Sequence, residues 1–174
     1  MGFTNKLNNA IVDIETNNCD VIVFDLFINR NDPLANLKTL RNAFPKIPIV
    51  IYSVENSLLW KWRTLQEGAF GYVVKGWELE ELVEVIRKSA SGEITIPGDL
   101  SSLFQKMNFS QGLWMIKPED LDIVRYRELG FQNKDIAIKL FKTVKSIEKS
   151  LQKLCITFDV EKVSDLIHFL SGLR

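Results

Sequence analysis

The stretch Ile47-Pro-Ile-Val-Ile-Tyr-Ser53 decides the fold of the first half of the chain. It is a short apolar run rich in β-branched residues, which is typical of a strand buried on both faces of a parallel sheet. Two similar runs lie before and after it, Asp20-Val-Ile-Val-Phe-Asp25 and Gly71-Tyr-Val-Val-Lys75. The sequence therefore predicts three buried strands.

Helices are predicted between and around these strands, because apolar residues there recur at helical spacing. The predicted helices span residues 5–15, 36–43, 56–67 and 78–90. Strands that alternate with helices indicate a parallel sheet joined by right-handed crossovers. A sheet of three strands is thin, and we expect one of its edges to be bare.

The second half of the chain has a different pattern. Residues 98–114 contain several Gly and Ser residues among scattered apolar ones, which predicts a linker, with a short helix over 100–107. After it the apolar period is helical throughout, with predicted helices at 118–129, 133–141, 145–158 and 163–170. We therefore predict an α/β domain over 1–97 and an all-α four-helix domain over 115–174.

Composition excludes several classes of protein. The 174 residues carry 22 basic and 22 acidic side chains and are 46% hydrophobic, which is typical of a globular chain and not of a disordered one. The longest apolar runs are four or five residues, too short for a membrane span or a signal peptide. Cys19 and Cys155 are far apart and are expected to be free thiols. We expect a cytoplasmic protein with no membrane contact.

Charge is divided unevenly between the halves. Residues 1–115 hold 11 basic and 13 acidic side chains, a net of −2, and residues 116–174 hold 11 and 9, a net of +2. Enzymatic chemistry finds little support, because the chain has one histidine, His168, and no glycine-rich phosphate loop. We expect no enzyme, no Cys/His metal site and no cofactor.

The order of these motifs resembles that of a bacterial response regulator of the LuxR/NarL (FixJ) type. Three segments resemble its receiver domain, and residues 130–141 followed by 143–151 resemble its helix-turn-helix domain. The three segments are Val21-Ile-Val-Phe-Asp25-Leu26, Ile49-Val-Ile-Tyr-Ser53 and Gly68-Ala-Phe-Gly-Tyr72-Val-Val-Lys75. The resemblance implies a three-layer α/β receiver-like domain with an incomplete sheet, followed by a DNA-binding domain. The family's first strand, first helix and second strand have no counterpart.

The resemblance assigns roles to four residues of the first domain. Asp25 matches the phosphoacceptor, Ser53 and Tyr72 match the switch residues, and Lys75 matches the lysine that pairs with the phosphoryl group. The two acids that hold Mg²⁺ in the family are missing, and Mg²⁺ would be needed only if phosphorylation is retained. We therefore expect a strand-end acid paired with Lys75. The alternative is true phosphorylation of Asp25, with the acids supplied by a swapped or partner chain.

The resemblance also implies that the helix at 145–158 binds in the major groove of DNA. Its apolar stripe, Ile147, Leu151, Leu154 and Phe158, should face the core. The opposite face and the preceding helix then carry the predicted DNA contacts, Lys134, Lys145, Lys149, Gln152 and Lys153, with Lys139 able to add a backbone contact. Glu148 departs from the family, which usually has a basic or neutral residue there. Glu119 and Asp120 likewise stand where the family has Arg and Glu.

Two functions follow as hypotheses. The first is a DNA-binding transcriptional regulator that works without phosphorylation, as a homodimer or under the control of a partner protein. The alternative is a regulatory adaptor that binds another protein and no longer binds DNA. Trp60 and Trp62 cannot share one helix face, so at least one is expected to be exposed, as on a partner surface. The last helix, 163–170, carries much apolar surface. In the family this helix is the dimer interface, and core packing explains part of that surface equally well.

Overall fold

The computed structural model describes residues 2, 4, 6–27, 33–76, 79–106 and 116–171, without the side chains of 33, 104 and 106. The chain divides into two compact units. The first unit contains Met1–Asn56 and Thr64–Gly98, and the second contains Ser57–Arg63 and Asp99–Arg174. Seven residues that the sequence places in the first domain therefore group with the second unit.

The first unit is built on a three-stranded parallel sheet in the order β1-β2-β3. This confirms the predicted α/β class and the predicted strands. The elements in chain order are α1 (Leu7–Thr16), β1 (Ile22–Phe24), α2 (Pro33–Ala43), β2 (Ile49–Ser53), α3 (Leu58–Gln66), β3 (Gly71–Val74) and α4 (Leu79–Ala90).

Helix α4 covers one face of this sheet. Its side chains Leu82 and Val85 pack with Val50 of β2 and Val73 of β3. Gly71 is required for this contact, because a Cβ atom there would lie 2.5 Å from Cγ1 of Val85. The register pairs Val23 of β1 with Val50, so the same face continues onto the edge strand, where Val23 is 44% exposed.

The second unit is helical, as predicted. Its helices are α5 (Gly98–Lys106, whose first residue belongs to the first unit), α6 (Pro118–Glu128), α7 (Asn133–Lys139), α8 (Val144–Thr157) and α9 (Val163–Leu170). Apolar side chains from α6 to α9 share a core that includes Leu121, Val124, Ile136, Ile147, Leu154 and Leu166. Much of the predicted linker is therefore helix α5, which buries Leu100 and Leu103, while 107–115 lie outside the described residues.

Both tryptophans of α3 are buried, so the prediction that one is exposed is wrong. Trp60 and Trp62 are 7% and 4% exposed. The Arg125 guanidinium lies 4.8 Å from the Trp60 ring centroid, and Trp62 meets Phe158 edge-on at 6.1 Å. The two rings project from different faces of α3, and each packs against a different residue of the second unit.

Two cations of α3 are buried with their counter-ions. Lys61 is 1% exposed, and its ammonium group lies 2.5 Å from a carboxylate oxygen of Asp99. Arg63 is buried beside Trp62 and donates to Asp122 at 2.8 Å. Because a buried charge without a partner is costly, these ion pairs hold α3 in place against α5 and α6.

Helix α9 buries more of its apolar surface than its sequence suggests. Leu166 and Leu170 are fully buried, and the Phe169 ring lies 5.7 Å from that of Phe158. Val163 and Ile167 are half-buried. Packing in the core, one of the two explanations that the sequence left open, therefore accounts for much of the apolar character of this helix.

None of the helices in the described part of the chain combines the length and apolar character needed to cross a membrane.

We predict that Asp99→Asn lowers the free energy of unfolding of the second unit by roughly 1–3 kcal/mol, because it leaves the buried Lys61 ammonium without its carboxylate. Urea denaturation followed by tryptophan fluorescence measures this change, since Trp60 and Trp62 lie on the same helix. Asp20→Asn, at an exposed aspartate, is the control and should change the stability by less than about 0.5 kcal/mol. An unchanged midpoint for Asp99→Asn would show that the pair contributes nothing.

Candidate functional site

The carboxyl ends of the three strands bring three of the predicted residues together. Asp25 directly follows β1, Ser53 ends β2, and Lys75 directly follows β3. The Lys75 ammonium group donates to the Asp25 carboxylate at 2.7 Å, and the two side chains are each about one-third exposed. The Phe27 N–H donates to the other Asp25 oxygen at 3.2 Å. Asp25 is thus already paired with a cation.

Ser53 and Tyr72 are held together beside this pair. Ser53 is fully buried, and its hydroxyl accepts from the Glu55 N–H at 3.3 Å. The Tyr72 hydroxyl donates to the Glu55 carbonyl at 2.7 Å. Burial raises the pKa of Tyr72 above its ordinary range, while a hydrogen bond with Ser53 opposes the shift. Tyr72 is therefore a neutral, buried residue.

The acids near Asp25 in sequence do not form a magnesium site with it. Asp13 and Glu15 lie on α1, and Asp20 precedes β1, at the opposite end of that strand from Asp25. Among the described residues, no three Asp, Glu, His or Cys side chains lie close enough to hold a metal ion. Within the described part of the chain, the acids therefore do not fit the Mg²⁺ that phosphoryl transfer to an aspartate requires.

The second candidate site is the pair of helices α7 and α8. Helix α8 begins at a Thr143 cap, whose hydroxyl accepts from the Ser146 N–H at 3.1 Å. The tight connection between the helices uses Phe141 at a φ of 53°, and the Lys142 N–H donates to the Ala137 carbonyl at 2.8 Å. These contacts fix the orientation of α8 relative to α7.

Helix α8 separates an apolar face from a charged one. Ile147, Leu151 and Leu154 are buried. The opposite face exposes Lys145, Glu148, Lys149, Gln152 and Lys153. The structure thus places four of the five predicted DNA contacts on one exposed face, with the Glu148 carboxylate among them. Their contact with DNA stays a prediction.

Three lysines around α7 differ in their surroundings. Lys134 is exposed near the start of α7. The Lys139 ammonium group lies 4.8 Å from the Phe131 ring centroid, so it is engaged in a cation–π contact. Lys142 pairs with Glu119 at 2.5 Å, and this hydrogen bond lowers the pKa of Glu119. No sequence pattern indicates this pair, because its partners are 23 residues apart in the chain.

Comparison with known proteins identifies the family. The model of the response regulator receiver domain matches residues 1–87, half of the chain. A transcriptional regulatory protein of Bacillus subtilis, YxjL, is 30% identical over 146 residues, which cover 77% of this chain and 67% of that protein. The chain belongs to the LuxR/NarL-type response regulators. The resemblance drawn from its motifs is confirmed.

Other relatives of this response regulator agree with its two-part architecture. A nitrate/nitrite response regulator homologue of Haemophilus influenzae is 26% identical, over 78% of this chain and 65% of that protein. The chain spans about two thirds of the length of these two relatives. The structure of RcsB from Salmonella enterica serovar Typhimurium, bound to the promoter rprA, aligns with 95% of this chain and 82% of its own, with a TM-score of 0.61 and 19% identity. That likeness supports the fold.

We predict that Asp25 of this response regulator accepts no phosphoryl group from acetyl phosphate and Mg²⁺, because its carboxylate is paired with Lys75 and because Asp13, Glu15 and Asp20 form no metal site with it. Intact-mass spectrometry taken within minutes of mixing measures this directly. Asp25→Asn is the matched control, and its spectrum should be the same as that of the wild type. An added phosphoryl mass that disappears in Asp25→Asn would contradict the prediction.

Proposed function

We propose that this response regulator binds DNA through the exposed face of α8 and so regulates transcription. The observation that carries the proposal is the separation of faces on α8. Its apolar side chains are buried in the unit, while Lys145, Lys149 and Lys153 project from the opposite side. In a helix-turn-helix, the second helix enters the major groove and Lys side chains fix its register on the phosphates.

The proposed contacts are of two kinds, those to phosphates and those to base edges. The lysines Lys134, Lys145, Lys149 and Lys153 would bind phosphates. Glu148 and Gln152 lie one helical turn apart on the same face, where their oxygen and amide groups would meet base edges. RcsB, whose fold this chain shares, is bound to promoter DNA in its structure, which supports DNA as the partner proposed here.

We further propose that the first unit acts without phosphorylation. The Lys75 ammonium already lies against Asp25, and Tyr72 is already buried beside Ser53, so no phosphoryl group is needed to reach this arrangement. Control would then come from association, either between two copies of the chain or with a regulatory protein. Because DNA is the proposed partner, we also propose that the protein is located in the cytoplasm.

Fluorescence anisotropy with a labelled generic duplex, titrated across salt at micromolar protein, tests DNA binding. Each neutralised phosphate contributes about −0.9 to the slope of log K against log salt, so four lysines predict a slope of roughly −3 to −4 per copy. A steep negative slope supports the proposal. Absence of binding at low salt would overturn it and favour the adaptor alternative.

Lys149→Gln should weaken binding to every duplex and reduce the magnitude of the salt slope by about 1, because one phosphate contact is lost. The same anisotropy titration measures it. Lys46→Gln removes an equally exposed charge from the first unit and should leave both affinity and slope unchanged. If the two variants behave alike, α8 is not the binding face.

Glu148→Gln should strengthen binding to a generic duplex roughly threefold to tenfold at low salt, because it removes the carboxylate that repels phosphates beside three lysines. Glu93→Gln, at an exposed site in the first unit, gives the same change in net charge and should have no effect. Weaker binding by Glu148→Gln would mean that the carboxylate contributes a favourable contact instead.

A further inference from the structure

Phe141, directly before α8, combines an exposed ring with a backbone conformation that suits glycine. Its φ is 53°, in the left-handed region that residues with a side chain seldom adopt. The Phe141 N–H donates to the Ile138 carbonyl at 3.3 Å, and the Lys142 N–H donates to the Ala137 carbonyl at 2.8 Å. These two hydrogen bonds form the Schellman motif, which usually has glycine at the left-handed position.

Other helices of this chain end in the same motif with a residue that fits it. The equivalent pair of hydrogen bonds follows α3, α4, α6 and α8. The left-handed residue is glycine after the first three and aspartate, which tolerates this conformation, after α8. These residues are Gly68, Gly92, Gly130 and Asp159. Phenylalanine at this position is therefore unfavourable for folding, and packing does not offset the strain, because Phe141 is 98% exposed.

The surroundings of Phe141 favour DNA as the partner of its ring. Ile138, in the last turn of α7, is 75% exposed, so a second large apolar side chain lies close to Phe141 in the chain. Phe141 also lies two residues before Thr143, the N-cap of α8. The exposed lysines Lys145 and Lys149 follow in the first two turns of that helix. Cations beside an exposed aromatic ring match a partner that presents phosphates next to apolar groups, as nucleic acid does.

We propose that the Phe141 ring contacts the DNA backbone and packs against deoxyribose, beside the phosphates bound by the lysines of α8. The inference rests on the proposed function and deepens it, because it adds an apolar contact to a surface otherwise argued from charge. The first residues of the second helix of a helix-turn-helix contact base edges, so a residue before its N-cap lies toward the sugar–phosphate backbone. Burying the ring there removes apolar surface from water and releases no counterions.

Phe141→Ala should weaken binding to a generic duplex roughly fivefold to thirtyfold at every salt concentration, with the slope of log K against log salt unchanged. Fluorescence anisotropy of the full chain measures both quantities. Phe141→Trp keeps an aromatic ring and should retain the wild-type affinity to within about threefold. Leu129→Ala is the matched control: it truncates an apolar side chain of the same unit that is 62% exposed, and it should change the affinity by less than about twofold.

Phe141→Gly separates the role of the ring from that of the backbone. It should weaken DNA binding as Phe141→Ala does. It should also raise the thermal midpoint of unfolding by roughly 2–6 °C, because glycine adopts the left-handed conformation without strain. A variant that is more stable and yet binds less tightly shows that the ring is kept for binding and not for folding.

The possible outcomes distinguish this inference from the proposed function. If the wild type binds the duplex and Phe141→Ala binds it equally well, the inference is overturned and the proposed function stands. If the wild type does not bind at low salt, both are overturned.

A duplex with uracil in place of thymine tests which part of the DNA the ring contacts. The wild-type affinity should be the same for both duplexes, because the deoxyribose is unchanged. Weaker binding of the wild type to the uracil duplex, with no such difference for Phe141→Ala, would assign the ring to thymine methyl groups and overturn the deoxyribose contact.

Discussion

Burial of four consecutive residues on α3, residues 60–63, each at most 7% exposed, is the constraint on which the second unit depends. Consecutive residues point around the whole circumference of a helix, so all four are buried only if α3 is covered on every side. Arg125 covers Trp60, Phe158 covers Trp62, and carboxylates of α5 and α6 meet the two cations. Phe158 also ends α8, so the packing of α3 reaches the helix proposed to bind DNA.

Each of the two candidate sites contains a lysine that is paired with an acid. At the strand ends, Lys75 is paired with Asp25. The first unit therefore has an ion pair at the position where phosphoryl transfer to an aspartate would require a metal ion. Beside α7, Lys142 is paired with Glu119, so the charge of that acid is compensated by a lysine. Glu148 differs from both, because it lies among exposed lysines on α8 itself; under the proposed function its charge would weaken the attraction of that face for phosphates.

Sequence alone predicts the elements well, because the short runs rich in β-branched residues at 49–53 and 71–75 are typical of buried strands, and because the helical spacing from Ile147 to Leu154 fixes which face of α8 is exposed. It fails where burial depends on a partner distant in the chain. Because Trp60 and Trp62 lie on different faces of α3, the sequence predicts that at least one of them is exposed. Only the structure shows that residues of the second unit cover both. The Glu119–Lys142 pair is missed for the same reason. The departure at Glu148, in contrast, is visible in the sequence once the family is recognised.

The central claim is that residues 58–63 of α3 belong with the second unit by packing, although α3 lies between two strands of the sheet in the chain. Hydrogen–deuterium exchange of the full chain, compared between wild type and Phe158→Ala, tests it most directly, because the substitution removes the ring that contacts Trp62. Exchange should become faster in residues 58–63 and in α8, while the strands β1–β3 keep their wild-type protection. Unchanged exchange in α3, or faster exchange in the strands instead, would contradict the account.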